Sequence, residues 1–318
     1  MSTVSIERLY SAPLRVYVDG QETRKQFRSL SRDSSGRLWA VGDGQVLLSP
    51  NGMDWSDLSL NLKDEGTFTV DSVILWEENP YLFARNRLGL FTYRLDDQNR
   101  NWRPISEIHT SSACVVALAG PDTFTLVAWD RGSTVVHRSQ DRGQSWVRVS
   151  FGSDEIPVYL QSFGAGRALC CLRGAFKEEN PNGQDRSSLY STIDSGLTWR
   201  LVAHLDTMAL AGTALEDAQV LIGGTGGFLS VFDFKGCHDI MRPSGDDIVA
   251  VDYLSGTSIA VSESEKTSIQ HRLIIGEPEV SSTQLPFNLD GRIVGARLIG
   301  GRNIVLCTTR ELYQCSYS

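Results

Sequence analysis

The chain has 318 residues, of which 41% are hydrophobic and 21% are charged, the composition of a globular protein with a sizeable core. Its formal net charge of −8 argues against a nucleic-acid partner, because binding to phosphate backbones needs clustered lysine and arginine. No apolar run approaches the roughly 18 residues of a membrane span. Charges at Glu7 and Arg8 also interrupt the N-terminus where the apolar core of a signal peptide would lie.

The six cysteines form no C-x-x-C pair, so we expect small buried side chains and a reducing, cytoplasmic location. Two of them, Cys170 and Cys171, are neighbours and should point to opposite faces of one strand.

Short alternating segments predict β-strands along the whole chain. Two of them, residues 4–9 and 14–18, precede a series of four-stranded groups, which we term blades. The predicted blades span approximately residues 27–60, 70–105, 114–151, 158–205, 207–243, 248–285 and 293–318. The last blade supplies only three strands, so residues 4–9 are predicted to complete it. No helix is required, since residues 204–216, although rich in Ala and Leu, favour a pair of strands.

One sequence pattern, which we term the box, recurs within this series. Ser139-Gln140-Asp141-Arg142-Gly143-Gln144-Ser145-Trp146 returns as Thr192-Ile193-Asp194-Ser195-Gly196-Leu197-Thr198-Trp199. Both copies read S/T-x-D-x-G-x-S/T-W. The carboxylate can accept backbone N–H groups a few residues on, glycine permits a positive φ, and tryptophan opens the next strand. The box therefore predicts a tight hairpin turn that fixes strand register.

A looser copy, one residue shorter, lies earlier in the chain and carries Asn in place of Asp. The positions to which we assign a structural role are Ser49, Asn51, Trp55, Ser139, Asp141, Gly143, Trp146, Thr192, Asp194, Gly196 and Trp199.

The tryptophans that close these turns recur at a nearly constant spacing. Trp55, Trp102, Trp146 and Trp199 are separated by 47, 44 and 53 residues. A period of about 45 residues indicates a repeat architecture and corresponds to seven repeats in this chain.

The box resembles the Asp-box, or BNR repeat, of sialidases, sortilin-type receptors and photosystem II assembly factors. The resemblance implies a β-propeller in which the box hairpin lies away from the usual ligand face. The predicted fold is therefore all-β: a seven-bladed β-propeller of four-stranded antiparallel blades. It would be a single domain of residues 1–318, with its ring closed by the N-terminal strand. Six or eight blades remain alternatives.

Catalytic signals are weak. The Arg-Ile-Pro motif of sialidases is absent, and no Ser, His and Asp can be assigned to a triad. Cys237-His238 has no second pair at metal-ligand spacing, and Gly223–Gly227 lacks the Lys-Ser/Thr of a phosphate loop, so we read it as a turn. His137 is interpreted as a packed or rim residue. We therefore predict no catalytic residue, no metal and no cofactor.

The predicted function is non-enzymatic protein binding, as an assembly factor, a scaffold or the neutralising partner of a toxin. The loops opposite the box hairpins are the predicted binding surface. The candidate residues there are Asp64, Glu65, Trp129, Asp130, Arg131, Lys177, Glu178 and Glu179. Tryptophan and arginine are enriched in binding hot spots, but Trp129 has an equal interpretation as the end of a strand packed against the neighbouring blade.

An acidic chain would favour a basic protein partner, and we expect a monomer in its absence. The alternative function is that of a carbohydrate-active propeller, either a glycosidase or a glycan-binding module. A glycosidase would need paired carboxylates brought together from loops that are distant in sequence.

Overall fold

Antiparallel β-strands make up the architecture. The structure is a computed structural model that describes residues 4–16, 22–60, 68–86, 89–96, 101–109, 114–120, 122–174, 186–241, 245–264, 270–277, 279–285, 289–300 and 302–317. These residues form seven four-stranded sheets and one two-stranded sheet. A 3-10 turn, Thr225–Gly227, lies in the glycine-rich segment for which the sequence predicts a turn. Among the described residues, no helix is long and apolar enough to cross a membrane.

The first three blades follow an N-terminal strand and a small hairpin. The strands before blade one are β1 (Val4–Ser11), β2 (Leu14–Val16) and β3 (Glu22–Arg24). Blade one contains β4 (Phe27–Arg32), β5 (Leu38–Gly42), β6 (Val46–Ser49) and β7 (Ser56–Asp57). Blade two contains β8 (Thr69–Trp76), β9 (Asn79–Arg85), β10 (Leu90–Asp96) and β11 (Asn101–Ile108). Blade three contains β12 (Cys114–Gly120), β13 (Thr123–Asp130), β14 (Ser133–Ser139) and β15 (Val147–Ser150).

The remaining blades repeat the pattern. Blade four contains β16 (Ile156–Ser162), β17 (Ala168–Arg173), β18 (Ser187–Thr192) and β19 (Arg200–Leu205). Blade five contains β20 (Ala209–Ala214), β21 (Val220–Gly224), β22 (Leu229–Phe232) and β23 (Cys237–Met241). Blade six contains β24 (Asp247–Leu254), β25 (Thr257–Ser264), β26 (Gln270–Glu277) and β27 (Glu279–Gln284). Blade seven contains β28 (Ile293–Gly300), β29 (Asn303–Thr308) and β30 (Glu311–Tyr317), and the two strands expected within residues 204–216 are present as β19 and β20.

The N-terminal strand completes blade seven, as predicted. β1 pairs antiparallel with β30, from Val4 opposite Tyr317 to Ser11 opposite Glu311. The Ser11 hydroxyl donates to the Glu311 carboxylate at 2.9 Å, and the backbone N–H of Ala12 donates to the carbonyl of Arg310 at 2.8 Å. The two ends of the chain therefore share one sheet.

The second strand of each blade is buried on both faces, because apolar clusters lie on either side of the sheet. In β17, Cys170 packs in a cluster with Val127 of blade three, whereas Cys171 packs in a cluster with Val220 of blade five. This confirms the prediction of opposite faces, and burial raises the pKa of the Cys171 thiol to about 12. The expectation of buried cysteines is wrong for Cys237, which is exposed because β23 is the outermost strand of blade five.

The chain groups into two compact units. One comprises Met1–Asn86, Tyr93–Pro104 and Asp252–Ser318, and the other comprises Arg87–Thr92 and Ile105–Val251.

In the first unit, the buried Asp252 links the first strands of three blades. Its carboxylate accepts from the Arg32 guanidinium at 2.8 Å and from the backbone N–H of Leu298 at 2.8 Å. Because a buried charge needs such partners, this contact fixes how β4, β24 and β28 lie together.

Deletion of residues 1–12 tests the closure of blade seven. The variant loses the pairing with β30 and the packing of Leu9, Tyr10 and Ala12 against the cluster of blades one and seven. We expect a loss of roughly 4 kcal/mol of unfolding free energy and a fall in Tm of about 6 °C, measured by thermal denaturation. Substitution of the exposed Glu7 by Gln is the control and should leave Tm unchanged. An unchanged Tm after the deletion would show that closure is dispensable.

Candidate functional site

The box turn of blade three is held by its own side chains. Asp141 Oδ1 accepts the Ser139 hydroxyl at 2.7 Å and the backbone N–H of Ser145 at 2.9 Å. Asp141 Oδ2 accepts the Ser145 hydroxyl at 2.5 Å, and the Ser139 hydroxyl in turn accepts the N–H of Gly143 at 2.7 Å. Gly143 has φ 83°, a conformation that glycine adopts without steric cost. The turn is therefore closed by hydrogen bonds among its own residues.

The box of blade four repeats this network. Asp194 accepts the Thr192 hydroxyl at 2.7 Å, the N–H of Thr198 at 2.9 Å and the Thr198 hydroxyl at 2.6 Å. Thr192 Oγ1 accepts the N–H of Gly196 at 3.0 Å. Serine and threonine are therefore interchangeable in the turn.

The shorter copy in blade one achieves the same result with an amide. Asn51 Oδ1 accepts the backbone N–H groups of Met53 and Asp54, each at 2.9 Å. The Ser49 hydroxyl accepts the N–H of Gly52 at 2.8 Å. A side-chain carbonyl is thus sufficient to hold the turn.

The network stabilises the ionised carboxylates of the boxes. Desolvation raises the pKa of Asp141, but hydrogen bonds from Ser145 and Ser139 outweigh it, and the pKa lies below its ordinary value of 3.8. The pKa of Asp194 is lowered in the same way, with desolvation opposed by hydrogen bonds from Thr198 and Thr192. Both carboxylates are therefore committed as acceptors within their own turns.

Each box also contacts the preceding blade. The Trp146 indole donates to the Ser106 hydroxyl of blade two at 3.1 Å. A Cβ added at Gly143 would lie 3.1 Å from Thr92 Cγ2, also of blade two. A side chain at this position would therefore crowd Thr92 in addition to adopting a left-handed φ.

The box of blade four contacts blade three through both its backbone and its tryptophan. The Ser195 carbonyl accepts from Arg138 Nε at 2.6 Å and from the Thr125 hydroxyl at 3.1 Å. The Trp199 ring stacks on Phe151 with a centroid distance of 5.1 Å.

The closing tryptophans of the first two blades follow the same rule. Trp55 packs against a buried cluster that includes Val305 of blade seven. The Trp102 indole donates to the carbonyl of Leu58, at the end of blade one, at 2.6 Å. The boxes and their tryptophans are therefore contacts between blades as well as turns.

Blade five carries a related turn that the sequence analysis missed. Asp233, between β22 and β23, accepts the N–H groups of Lys235 at 2.6 Å and Gly236 at 3.1 Å. His238 Nε2 lies 2.8 Å from its second oxygen. No tryptophan follows this turn, so the pattern did not reveal it.

The predicted binding residues fall into two groups. Asp64, Glu65, Lys177, Glu178 and Glu179 lie outside the described residues. The other three flank the turn between β13 and β14.

At that turn, the Trp129 indole donates to the carbonyl of Asp154 at 3.3 Å. Asp154 lies in the connection to blade four, so this bond agrees with the packing interpretation of Trp129. Asp130 is buried and lies 3.3 Å from the Arg148 guanidinium, whereas Arg131 is exposed with φ 51°. Among the three, Arg131 is the side chain presented to solvent.

Two titratable groups of blades three and four have shifted pKa values. His137 is buried, and desolvation together with the charge of Arg148 lowers its pKa to about 4, so it is neutral at pH 7. The Tyr190 hydroxyl donates to Glu155 at 3.1 Å, and desolvation and the charge of Glu155 raise the pKa of Tyr190, so this hydroxyl is protonated at pH 7.

Exposed apolar side chains gather at the box hairpins. The large hydrophobic residues with high exposure are Met53 at 52%, Val147 at 64%, Ile193 at 74%, Leu197 at 49% and Leu201 at 41%. Met53 belongs to the box of blade one and the other four to the boxes and outer strands of blades three and four. A cavity of about 200 Å³ beside Val147 is lined by Arg138, Gln140, Asp141 and Ser145.

We name the part of this surface on blades three and four the box surface: Arg138, Val147, Ile193, Leu197 and Leu201. The sequence did contain a signal for it. Ile193 and Leu197 occupy variable positions of the box where the first complete copy has Gln140 and Gln144.

No known protein family and no curated protein sequence matches the chain. Solved structures do. "YCF48 bound to D1 peptide" superposes with a TM-score of 0.65 at 12% identity over 98% of this chain and 94% of that one. YCF48 from Cyanidioschyzon merolae gives a TM-score of 0.65 at 13% identity over 98% and 99%. The WD40 β-propeller domain of Doa1 gives 0.61 at 11% identity over 99% and 97%.

These likenesses and the seven sheets define the class. The chain is an all-β, seven-bladed β-propeller of four-stranded antiparallel blades, as predicted.

The box of blade three is tested by Asp141→Ala and Asp141→Asn. Alanine removes the acceptor of the Ser145 N–H and of two hydroxyls at an exposed turn, where water can replace it, so we expect a loss of about 1 kcal/mol of unfolding free energy. Asparagine should cost less, because Asn51 holds the same turn in blade one. Urea denaturation measures both, with the exposed Gln144→Ala as control. Equal stability of Asp141→Ala and Gln144→Ala would contradict the assigned role.

The lowered pKa values of Asp141 and Asp194 predict a pH dependence. Their folded pKa values lie below the ordinary value of 3.8, so their contribution is complete above that pH. It is lost as the pH falls through the lower folded values. The stability difference between wild type and Asp141→Asn/Asp194→Asn should therefore be constant from about pH 7 to pH 5 and shrink below about pH 4. Urea denaturation across this range measures it, and a constant difference down to about pH 2 would contradict the assignment.

Proposed function

We propose that this chain is an Asp-box propeller that binds another protein and catalyses no reaction. It would act as an assembly factor, a scaffold or the neutralising partner of a toxin. The observation that carries the proposal is the gathering of exposed apolar side chains at the box hairpins of blades three and four. A concentration of exposed apolar side chains on one part of a protein favours an interaction site there.

Two further observations support a protein partner. Propellers of similar fold include one solved as YCF48 bound to D1 peptide. The apolar side chains of these hairpins also belong to two adjacent blades, which contact each other through the Ser195 carbonyl and Arg138.

The loops opposite the box hairpins are a second part of the proposal. Arg131 represents them, because it is exposed at the turn between the second and third strands of blade three. The two residues before Arg131 anchor this turn. Asp130 accepts a hydrogen bond from Arg148, and the Trp129 indole donates one to the carbonyl of Asp154.

Purification of the tagged full-length chain from its source cells tests the proposal. We expect one protein to co-purify in stoichiometric amount, identified by mass spectrometry. A chain that emerges alone, under conditions where it is folded, would contradict protein binding.

Arg131→Glu tests the loop face. If the loops contact the partner, this charge reversal should weaken the complex about tenfold, a loss of about 1.4 kcal/mol. The matched control is Arg302→Glu, which alters another exposed arginine at a left-handed turn position, with φ 65° against 51° for Arg131. Equal affinities of the two variants would exclude the loop of blade three from the interface.

A further inference from the structure

The box of blade one contains an Asn-Gly sequence, Asn51-Gly52. Asparagine loses its side-chain amide most readily before glycine, because glycine has no side chain to shield its backbone nitrogen. The Gly52 nitrogen gives up its proton to water and bonds to Asn51 Cγ. The bond from Cγ to Nδ2 breaks, and ammonia leaves after taking up a proton from water. Water then opens the cyclic imide to aspartate or isoaspartate, so water is the only co-reactant.

The folded box engages the atoms on which this reaction depends. The Gly52 N–H donates to the Ser49 hydroxyl at 2.8 Å. Asn51 Oδ1 accepts the N–H groups of Met53 and Asp54, each at 2.9 Å. Asn51 Nδ2 donates to Asp54 Oδ2 at 2.8 Å. Because Cγ must rotate towards the Gly52 nitrogen, the reaction requires these hydrogen bonds to break.

Blade seven helps to keep this box closed. A Cβ added at Gly52 would lie 2.7 Å from Ile299 Cγ2 and 3.1 Å from Val305 Cγ2, both of blade seven. Gly52 and Ser49 are buried, whereas Asn51 is exposed. The glycine nitrogen is therefore shielded between the two blades, and opening of the box separates Gly52 from blade seven.

A second feature explains why this box carries asparagine. In the complete boxes the residue before the tryptophan is Ser145 or Thr198, whose hydroxyl donates to the second aspartate oxygen at 2.5 Å or 2.6 Å. In blade one this position is Asp54, and an ionised carboxylate has no proton to donate. The Asn51 amide supplies the donor instead. Aspartate at position 51 would therefore place two carboxylates together, and like charges repel.

We propose that Asn51 is a deamidation site that the closed box of blade one protects, and that its conversion to aspartate or isoaspartate weakens the box. The modification marks chains in which blade one has opened away from blade seven. It is irreversible, since the released ammonia is lost. This inference is independent of any partner, so its failure leaves the proposed function untouched.

Incubation of the full-length chain at mildly alkaline pH, with and without urea, tests the protection. Peptide mapping by mass spectrometry follows Asn51 separately from the chain's other Asn-Gly sequence, Asn182-Gly183, which lies outside the described residues. Chromatography of the peptides distinguishes aspartate from isoaspartate. We expect deamidation of Asn51 to be at least about tenfold slower in the folded chain than in urea, because the box must first open. Equal rates, or a faster rate in the folded chain, would overturn the inference.

Ser49→Ala identifies the box as the source of this protection. The variant removes the acceptor of the Gly52 N–H, so deamidation of the folded chain should accelerate about three- to tenfold. The matched control is Ser139→Ala, which makes the same change in the box of blade three and should leave the rate at Asn51 unchanged. Thermal denaturation checks that both variants fold. Equal rates at Asn51 in the two variants would contradict the role of the box, and the wild-type comparison in urea requires no variant.

Asn51→Asp tests the effect of the aspartate product. At neutral pH we expect its Tm to fall by about 1–2 °C, because a donor facing Asp54 becomes a like charge. Asp54→Ser in the same chain should restore Tm, since the pair then matches Asp141 and Ser145. Asp54→Ser alone is the control. An unchanged Tm for Asn51→Asp, or no recovery in the double variant, would contradict a weakened box.

Discussion

The pairing of β1 with β30 is the constraint on which the last blade depends. Without Val4–Ser11, the strand Glu311–Tyr317 would be the exposed edge of a three-stranded sheet. Its unpaired backbone groups could then pair with a strand of another chain. The contact joins residues about 300 positions apart, as the Ser11–Glu311 hydrogen bond shows. A pairing so remote in sequence raises the contact order of the fold, which slows folding.

The boxes show how neighbouring blades are held in place. Within a blade, Asp141 and Asp194 shape turns of the same geometry through the same acceptors. Between blades, that geometry places Trp146 on Ser106 and Trp199 on Phe151. Because the turns have the same shape, each places its tryptophan ring against the preceding blade. The box recurs with its tryptophan because the two act together.

Much of the fold was predictable because its signals are local. Alternation predicted the strands, and the tryptophan spacing predicted the number of blades. The turn at Asp233 escaped prediction because no tryptophan follows it, and the exposure of Cys237 because burial depends on neighbouring strands. The box surface was missed although Ile193 occupies a variable position of the box, because an apolar residue in a β-rich chain was expected in the core and Ile193 is exposed.

The variable positions of the box explain how one turn can carry different surfaces. The serine, aspartate and glycine form the hydrogen bonds of the turn. The side chains at the positions between them therefore determine the chemistry of the exposed surface. In blade one, Asp54 adds a negative charge beside Met53. The turn of blade three carries Arg142 between its fixed positions, and the turn of blade four carries the exposed Ile193. The turn therefore keeps its shape while its remaining side chains differ from blade to blade, because the fixed residues are held by hydrogen bonds inside the turn.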